Sequence, residues 1–263
     1  MAITGYANFV LENKVTDLVN TKLDVRSLMT VDTSLAEGAG LRKTVNKYTY
    51  TGTVEQLAKG AKNTTKGSVG FVATHYDVKR YQQTFEYNDM DVMQDPQVLD
   101  VALNGASTVM ANEIKTEYFT ELAKISNEVT FAKTGSFSYE TVVDALAEIG
   151  CEAEEDTFII MGTDLKKMVR KDADFKASQQ GEILYSGQFG TISGVPVIFS
   201  KLVPADTAYI TKKDAVKFFV KKEGSVEQDR NIETKDNTVV YERHGLVALV
   251  DDTKSVKITR ATA

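Results

Sequence analysis

The chain has 263 residues, of which 42% are hydrophobic and 26% charged, and its formal net charge is −6. These values are typical of a soluble globular protein with one large domain or two small ones, and no apolar run approaches the roughly 20 residues of a membrane span. The acidic balance argues against a protein that coats nucleic acid, and the single cysteine, Cys151, excludes an intrachain disulfide and a cysteine-based metal site.

Residues 1–40 are predicted to form an arm rather than a domain, because they hold too few apolar residues to bury a core alone. A short amphipathic helix comes first, and an irregular stretch from Thr30 to Gly40 follows it. The apolar side of that helix would consist of Leu11, Val15, Leu18, Val19 and Leu23. The N-terminus lacks the basic start and apolar centre of a secretory signal, which favours a cytoplasmic origin.

Residues 41–90 are predicted to form one long β-hairpin. Its limbs, residues 41–57 and 69–87, alternate apolar and polar side chains and are rich in Thr, Tyr and Val. The polar, glycine-flanked stretch between them is predicted to be a mobile tip. A hairpin of this length has little core of its own and needs another surface to lie on.

The hairpin is basic, and two acidic groups follow it along the chain. Each charge alone is best explained as a solvated surface group. The alternative is that the hairpin of one subunit lies on an acidic surface of the next, since opposed patches fix register and steer encounter. The predicted contact residues are Arg42, Lys43, Lys59, Lys62 and Lys66 on the hairpin, and Glu86, Asp89, Asp91, Glu152, Glu154 and Glu155 on the acidic surface.

A single long helix is predicted from Asp95 to Ser126. Asp95 is a favourable N-cap, and Pro96 would occupy the first helical position, where its missing N–H costs nothing. At 1.5 Å per residue the helix would be roughly 45 Å long, which suits a strut that braces other elements. Apolar residues recur at steps of three and four and therefore share one face: Leu99, Leu103, Ala106, Met110, Ile114, Tyr118, Leu122 and Ile125.

The remainder of the chain separates helices from strands instead of alternating them, so the fold class is predicted to be α+β. Ser138 and Gly150 bracket a second helix, and a third helix opens at Thr163. Thr157–Met161 and Val195–Phe199 are predicted strands, and a series of short β segments continues to the end of the chain.

No motif carries catalytic chemistry, and no catalytic, cofactor-binding or metal-binding residue is predicted. His75 and His244 have no further ligand at metal-site spacing, whereas a zinc site needs three or four ligands. The glycines of residues 181–194 match neither the dinucleotide fingerprint nor the phosphate-binding loop, and no G-x-S-x-G elbow occurs. Cys151 is better explained as a small packed side chain than as a nucleophile.

The order of these parts resembles the major capsid proteins of tailed bacteriophages, the Hong Kong ninety-seven type of shell subunit. Residues Phe158 to Pro204 carry the most specific likeness, since FIIMGTDLKKM and a loop are followed there by the strand G-V-P-V. The ending EQDRNIETKDNTVVYERHGLVALVDDTKSVKI is similar to the family's, in which a strand with an arginine leads into an apolar strand and a closing β segment. The resemblance covers nearly the whole chain.

The resemblance implies a division of the chain into the parts named for this family, with Leu99, Leu103, Met110, Ile114, Tyr118 and Leu122 as the core face of the spine helix. Those parts are an N-terminal arm at 1–40, the E-loop hairpin at 41–90, the P-domain spine helix at 91–127, the A-domain at 128–225, a P-domain return strand at 226–245 and a closing A-domain segment at 246–263.

It also implies a structural protein without cofactor or membrane association. Subunits would form pentamers and hexamers of an icosahedral shell that encloses double-stranded DNA without sequence-specific binding, assembled in the host cytoplasm and located in the virion. A portal is expected, and so is a separately encoded scaffolding protein, because the chain begins directly at the arm.

Two alternative functions stay open on the sequence. An encapsulin-type nanocompartment shares the fold and would hold a cargo enzyme, whereas a monomeric α+β enzyme or binding module would leave the hairpin unexplained. Some relatives also join subunits by a Lys–Asn isopeptide bond assisted by a Glu. The residue types are present in the tip lysines, Asn237 and Glu242, although they do not match the family's spacing.

Overall fold

The computed structural model describes residues 13–19, 28–132, 137–150, 156–171 and 191–261. They form a four-stranded sheet, a six-stranded sheet and a separate two-stranded ribbon. After a helical segment at 13–19, the elements are β1 (Thr30–Asp32), β2 (Arg42–Thr51), β3 (Ser68–Asp77), β4 (Lys79–Asn88), α1 (Asp89–Gln94), α2 (Gln97–Leu122), β5 (Glu128–Phe131), α3 (Tyr139–Ile149), β6 (Thr157–Met161), α4 (Thr163–Lys171), β7 (Thr191–Ile192), β8 (Val195–Phe199), β9 (Thr207–Lys212), β10 (Val216–Arg230), β11 (Asp236–Leu249), a 3₁₀ turn (Asp252–Lys254) and β12 (Ser255–Arg260).

Helix α2 has 26 residues and is therefore about 39 Å long. It begins two residues later and ends four residues earlier than predicted. Pro96 occupies the N-cap position instead of Asp95, although the Asp95 carboxylate still accepts a 2.9 Å hydrogen bond from the Gln97 N–H. All eight residues of the predicted apolar face are buried.

The four-stranded sheet has the order β1-β10-β11-β4, and α2 packs on one of its faces. The sequence predicts a series of short β segments in this region, but β10 and β11 are continuous strands of 15 and 14 residues. Glycines cause the apparent breaks. A Cβ at Gly224 would lie 2.2 Å from the Tyr241 hydroxyl, and one at Gly245 would lie 2.9 Å from the Phe219 carbonyl, so both glycines admit close packing inside the sheet.

The six-stranded sheet has the order β5-β12-β9-β6-β8-β7 and mixes parallel with antiparallel pairs. Helices α3 and α4 pack on it through Val142, Leu146 and Leu165. The predicted helix between Ser138 and Gly150 is confirmed, since Gly150 ends it in the left-handed conformation with φ 62°. The predicted strands at Thr157–Met161 and Val195–Phe199 are also confirmed, and so is the α+β class.

The two-stranded ribbon is shorter than the predicted hairpin. Strands β2 and β3 pair from Arg42–Asp77 to Thr51–Ser68, whereas β4 leaves the ribbon and pairs with β11. The prediction of one continuous limb over residues 69–87 is therefore wrong. The physical reason is burial: Tyr81 and Tyr87 on β4 enter the core beneath α2, while β3 remains largely exposed.

The N-terminal segment joins the same core. Val15 and Val19 are fully buried in it, and the Tyr118 hydroxyl of α2 donates a 3.2 Å hydrogen bond to the Leu28 carbonyl. The stretch predicted to be irregular begins with β1, which pairs parallel to β10. Leu11 and Leu23 lie outside the described residues. Among the described helices, none is both long and apolar enough to cross a membrane.

Candidate assembly surfaces

The root of the ribbon is fixed to its own subunit. Val45 packs with Phe219 and Leu246 in a small core. Lys47 Nζ lies 3.1 Å from Asp252 Oδ2, and the Tyr76 hydroxyl donates a 3.4 Å hydrogen bond to the Leu249 carbonyl. The half of the ribbon nearest the sheets therefore has a defined position.

The distal half of the ribbon carries an apolar face that its own subunit leaves uncovered. Tyr48 stands opposite Phe71 and Tyr50 opposite Val69, so the four side chains share one face. Each of them is at least 65% exposed, and the Tyr48 and Phe71 ring centroids are 6.2 Å apart. Contiguous apolar surface of this kind usually marks an interaction site in a soluble protein.

The tip of the ribbon, residues 52–67, presents Lys59, Lys62 and Lys66 to solvent. Its one acid, Glu55, accepts a 2.9 Å hydrogen bond from the Thr64 N–H, which lowers the pKa of Glu55 and shapes the loop. Three lysines against this one carboxylate leave the tip with a net positive charge.

The other two predicted hairpin contacts lie at the root and are engaged within the subunit. Arg42 Nε lies 2.7 Å from Asp77 Oδ1, and Lys43 Nζ lies 4.8 Å from the centre of the Phe219 ring. The structure therefore separates them from the three tip lysines, which share one exposed loop.

The predicted acidic surface is also divided. Glu86 and Asp91 are exposed. Asp89 instead accepts a 2.7 Å hydrogen bond from the Asn237 amide and pairs with Arg230, and these two partners lower its pKa. The remaining three acids, Glu152, Glu154 and Glu155, lie outside the described residues.

A chain of polar groups inside the helix–sheet interface was not predicted from the sequence. The Tyr81 hydroxyl donates to Glu117 of α2, which also pairs with Lys79 at 2.7 Å; burial and the Glu117 carboxylate raise the pKa of Tyr81. Arg243 stands opposite Tyr81 in register, is 4% exposed and lies 3.2 Å from Glu223 Oε2. These groups connect α2 with β4, β11 and β10.

The burial of Arg243 could have been predicted from the alternation of side chains along β11. Val239, Tyr241 and Arg243 occupy every second position of β11, and the first two are buried in the core beneath α2. Arg243 must therefore point the same way and needs polar partners there.

A cleft of about 400 Å³ lies between β4 and α2, and most of the residues that line it are polar or charged. It offers no recognisable catalytic arrangement. Within the described ranges, no group of three or more His, Cys, Asp or Glu side chains is placed to hold a metal. The lining residues are Lys79, Arg80, Tyr81, Gln82, Gln83, Val109, Met110, Glu113 and Glu117.

A single subunit does not bring together the groups for an isopeptide bond. Asn237 is buried and donates to Asp89, while Glu242 accepts from Lys222 at 3.1 Å and from Arg80 at 3.0 Å. Asn237 and Glu242 are five residues apart on β11, so they point to opposite faces and their backbones are roughly 16 Å apart.

Comparison with known proteins places these surfaces in context. The model of a family described as phage capsid protein matches residues 71–258, which is more than half of the chain. The major capsid protein of Staphylococcus phage phiMR11 is 24% identical over 280 residues, covering 99% of this chain and 97% of that protein.

Two solved structures share the fold at low sequence identity. The capsid of a native GTA particle matches with a TM-score of 0.71 at 11% identity, covering 92% of this chain and 91% of that one. A virus-like particle from Pyrococcus furiosus matches with a TM-score of 0.63 at 10% identity, covering 97% of this chain and 100% of that one.

Proposed function

Because this chain belongs to the phage capsid protein family, we propose that it is a major capsid protein whose copies build an icosahedral shell around the double-stranded DNA of a tailed phage. The proteins of this family are structural, so the chain is a capsid component of the virion and not an enzyme. We further propose that copies of this chain form pentamers and hexamers, and that they assemble in the host cytoplasm with a portal and a separately encoded scaffolding protein.

The observation that carries the assembly proposal is the uncovered apolar face of the distal ribbon. Four large side chains, Tyr48, Tyr50, Val69 and Phe71, project from a two-stranded ribbon whose root is anchored elsewhere. A two-stranded ribbon is marginally stable by itself, and these side chains stabilise the structure only when another surface removes them from water. A neighbouring copy supplies that surface in a shell.

The tip lysines would guide this contact electrostatically. Lys59, Lys62 and Lys66 carry exposed positive charge, and Glu86 and Asp91 offer exposed carboxylates on β4 and α1. Since the net charge of the chain is −6, the basic tip is attracted to the acidic remainder of another copy. Such pairing sets register and speeds association more than it adds affinity.

The family's parts are assigned to the observed elements as follows. We assign the spine helix to α2, the P-domain sheet to the four-stranded sheet and the A-domain to the six-stranded sheet with α3 and α4. The E-loop is narrowed from residues 41–90 to the ribbon and its tip, residues 42–77, because β4 belongs to the four-stranded sheet.

An encapsulin-type compartment is the second candidate, since a virus-like particle from Pyrococcus furiosus has this fold. The matching family is described as phage capsid protein, and the similar protein from Staphylococcus phage phiMR11 is a major capsid protein, so both favour the phage function. The contents of the shell separate the two candidates: nuclease-protected DNA in particles from infected cells supports the phage capsid, and a protein cargo without DNA supports the compartment.

The test of assembly is the native mass of the purified protein, by size-exclusion chromatography with light scattering and by negative-stain microscopy. The measurement is made on the protein alone and again with its companion scaffolding protein, and closed shells, pentamers or hexamers are expected in at least one of the two samples. A species of 29.0 kDa in both samples would contradict the proposal.

A further inference from the structure

The two helices of the six-stranded sheet carry opposite charge. Helix α3 contains three acidic residues and no basic one, so its net charge is −3. Helix α4 contains four basic residues and one acidic residue, so its net charge is +3. Both helices pack on the face of the sheet that carries Ile159 and Met161. Their opposite charges are therefore displayed from one layer of the subunit.

The outer face of α3 has the composition of a binding surface. Tyr139 and Val143 lie one turn apart on it and are 51% and 39% exposed. Three exposed acids run beside them at steps of four residues: Glu140, Asp144 and Glu148. Aromatic side chains are enriched in protein–protein interfaces, and polar or charged groups form the rim. The outer face of α3 combines both features.

The row of acids is unfavourable for a subunit on its own. Like charges four residues apart on a helix repel each other. Glu148 also lies in the last turn of α3, at the negative end of the helix dipole, and that turn contains no basic residue. The ion pairs formed among the described residues include none of the three acids. A basic partner would therefore relieve a repulsion that the subunit leaves in place.

The outer face of α4 offers the matching charge. Lys167 and Lys171 are exposed and four residues apart, so they lie on one side of the helix. Within the described ranges, neither lysine belongs to an ion pair. Their spacing equals that of Asp144 and Glu148 on α3. Two lysines can therefore face two carboxylates when an α3 and an α4 lie side by side.

The two helices do not satisfy each other within one subunit. Helix α3 lies over β5 and β12, at one edge of the six-stranded sheet. Helix α4 extends toward the other edge, where Lys166 Nζ is 4.1 Å from the centre of the Phe199 ring on β8. No ion pair between described residues joins α3 to α4. Each charged face is therefore available to another copy of the chain.

From this arrangement we infer that the outer face of α3 in one copy binds the outer face of α4 in the next copy. The contact is head-to-tail because it joins two different surfaces, and repetition of such a contact closes a ring when the rotation between copies permits it. The inference rests on the proposed function and adds a second contact to that of the ribbon. Because exposed charges contribute to it, high salt should weaken it.

An exchange of charge tests the pairing through assembly. Asp144→Lys with Glu148→Lys, and separately Lys167→Glu with Lys171→Glu, should each lower the yield of assembled protein about tenfold or more, because like charges then meet across the contact. All four changes in one chain restore opposite charges and should return the yield to within about twofold of the wild type. Light scattering measures the yield. Circular dichroism should show the same melting temperature for every variant, since the four residues are exposed.

A control variant separates the pairing from the net charge of the chain. Asp144→Lys with Glu148→Lys is combined with Lys235→Glu and Lys254→Glu, which lie on turns outside α4 and return the net charge to −6. This variant should assemble as poorly as the reversal on α3 alone. Recovery in the control would overturn the inference in favour of a net-charge effect. Failure of the fourfold exchange to recover would also overturn it, and would indicate a different basic partner such as a scaffolding protein.

A crosslink tests the contact directly. In a Cys151→Ser background, Val143→Cys on α3 and Thr163→Cys on α4 place one thiol on each exposed face and keep all the charges of the contact. A short bismaleimide should then give a ladder of covalent oligomers on a denaturing gel. Either cysteine alone should give no ladder, because a head-to-tail contact does not bring identical sites together.

The crosslink also distinguishes a failure of this inference from a failure of the proposed function. Shells without the ladder would overturn the inference and leave the proposed function in place. A ladder from a chain that never forms shells would support the α3–α4 contact and contradict the proposed shell.

Discussion

The long helix and the distal ribbon both display apolar side chains in a regular pattern, but only the helix covers its own. Helix α2 buries its apolar face against the four-stranded sheet, whereas Tyr48, Tyr50, Val69 and Phe71 on the ribbon stay in water. The pattern indicates in each case that something must cover the side chains. The difference shows that periodicity does not tell whether the cover comes from the same chain or from another copy.

The largest expected effect tests whether the apolar face of α2 is buried in the core of the subunit. Met110 is 3% exposed, so Met110→Asp should lower the free energy of unfolding by about 3–5 kcal/mol, because it buries an unpaired charge and leaves a packing defect. Val101→Asp on the exposed side of the same helix is the control and should change stability by less than about 0.5 kcal/mol. Urea denaturation measures both, and equal values would refute the assignment of the buried face.

A smaller loss is expected where a glycine admits close packing in the sheet. Gly245→Ala places a Cβ 2.9 Å from the Phe219 carbonyl and from the Phe218 ring, and should cost about 1–3 kcal/mol. Gly105→Ala is the matched control, since nothing lies within 4 Å of its Cβ, and it should stabilise α2 by about 0.5–1 kcal/mol. Thermal melting should thus shift in opposite directions, and a shared direction would contradict the packing account.

On the ribbon, the same kind of charge insertion should spare the subunit and harm the shell. Tyr48→Asp should change the free energy of unfolding by less than about 0.5 kcal/mol, because Tyr48 is already exposed, while shells form poorly or not at all. Thr49→Asp adds the same charge on the opposite face of the strand and should assemble better. Light scattering measures assembly, and normal shells from Tyr48→Asp would show that this face stays uncovered.

The smallest effect on the subunit is expected at the tip. Deletion of residues 59–68 should leave the melting temperature unchanged, because these residues are exposed, and should impair or alter assembly. Replacing Lys59, Lys62 and Lys66 by Gln keeps the loop and removes only its charge, and should reduce the salt dependence of the assembly rate. If the deletion assembles like the wild type, the tip does not brace the shell.

Parts of the fold that depend on local periodicity could be predicted, and parts that depend on distant partners could not. The buried face of α2 follows from steps of three and four, and Gly150 stops α3 because it tolerates the left-handed conformation. The separation of β3 from β4, which falls at Val78, could not be predicted, because both strands alternate apolar and polar side chains in the same way. The strand that pairs with β4 is β11, far along the chain, and the local sequence of β4 does not indicate it.

The candidate surfaces show the same limit. The tip lysines could be selected from the sequence because their charge is concentrated in a polar loop. Arg42 and Asp89 were selected by charge as well, yet each has a partner within the subunit that only the three-dimensional arrangement supplies. Tyr48 and Phe71 were not predicted as contact residues. Their strands alternate apolar and polar side chains, and a strand that packs on the core of its own subunit shows the same alternation.

The parallel pairing of β1 with β10 constrains how a newly made chain can fold. Thr30 pairs with Lys217, so this contact closes a loop of about 190 residues and gives the subunit a high contact order, which predicts slow folding. At roughly 5–20 residues per second, the ribosome releases the β10 partner about 10–40 seconds after β1. The residues of the ribbon leave the ribosome much earlier, so its apolar side chains are exposed to aggregation on the nascent chain well before a shell can cover them.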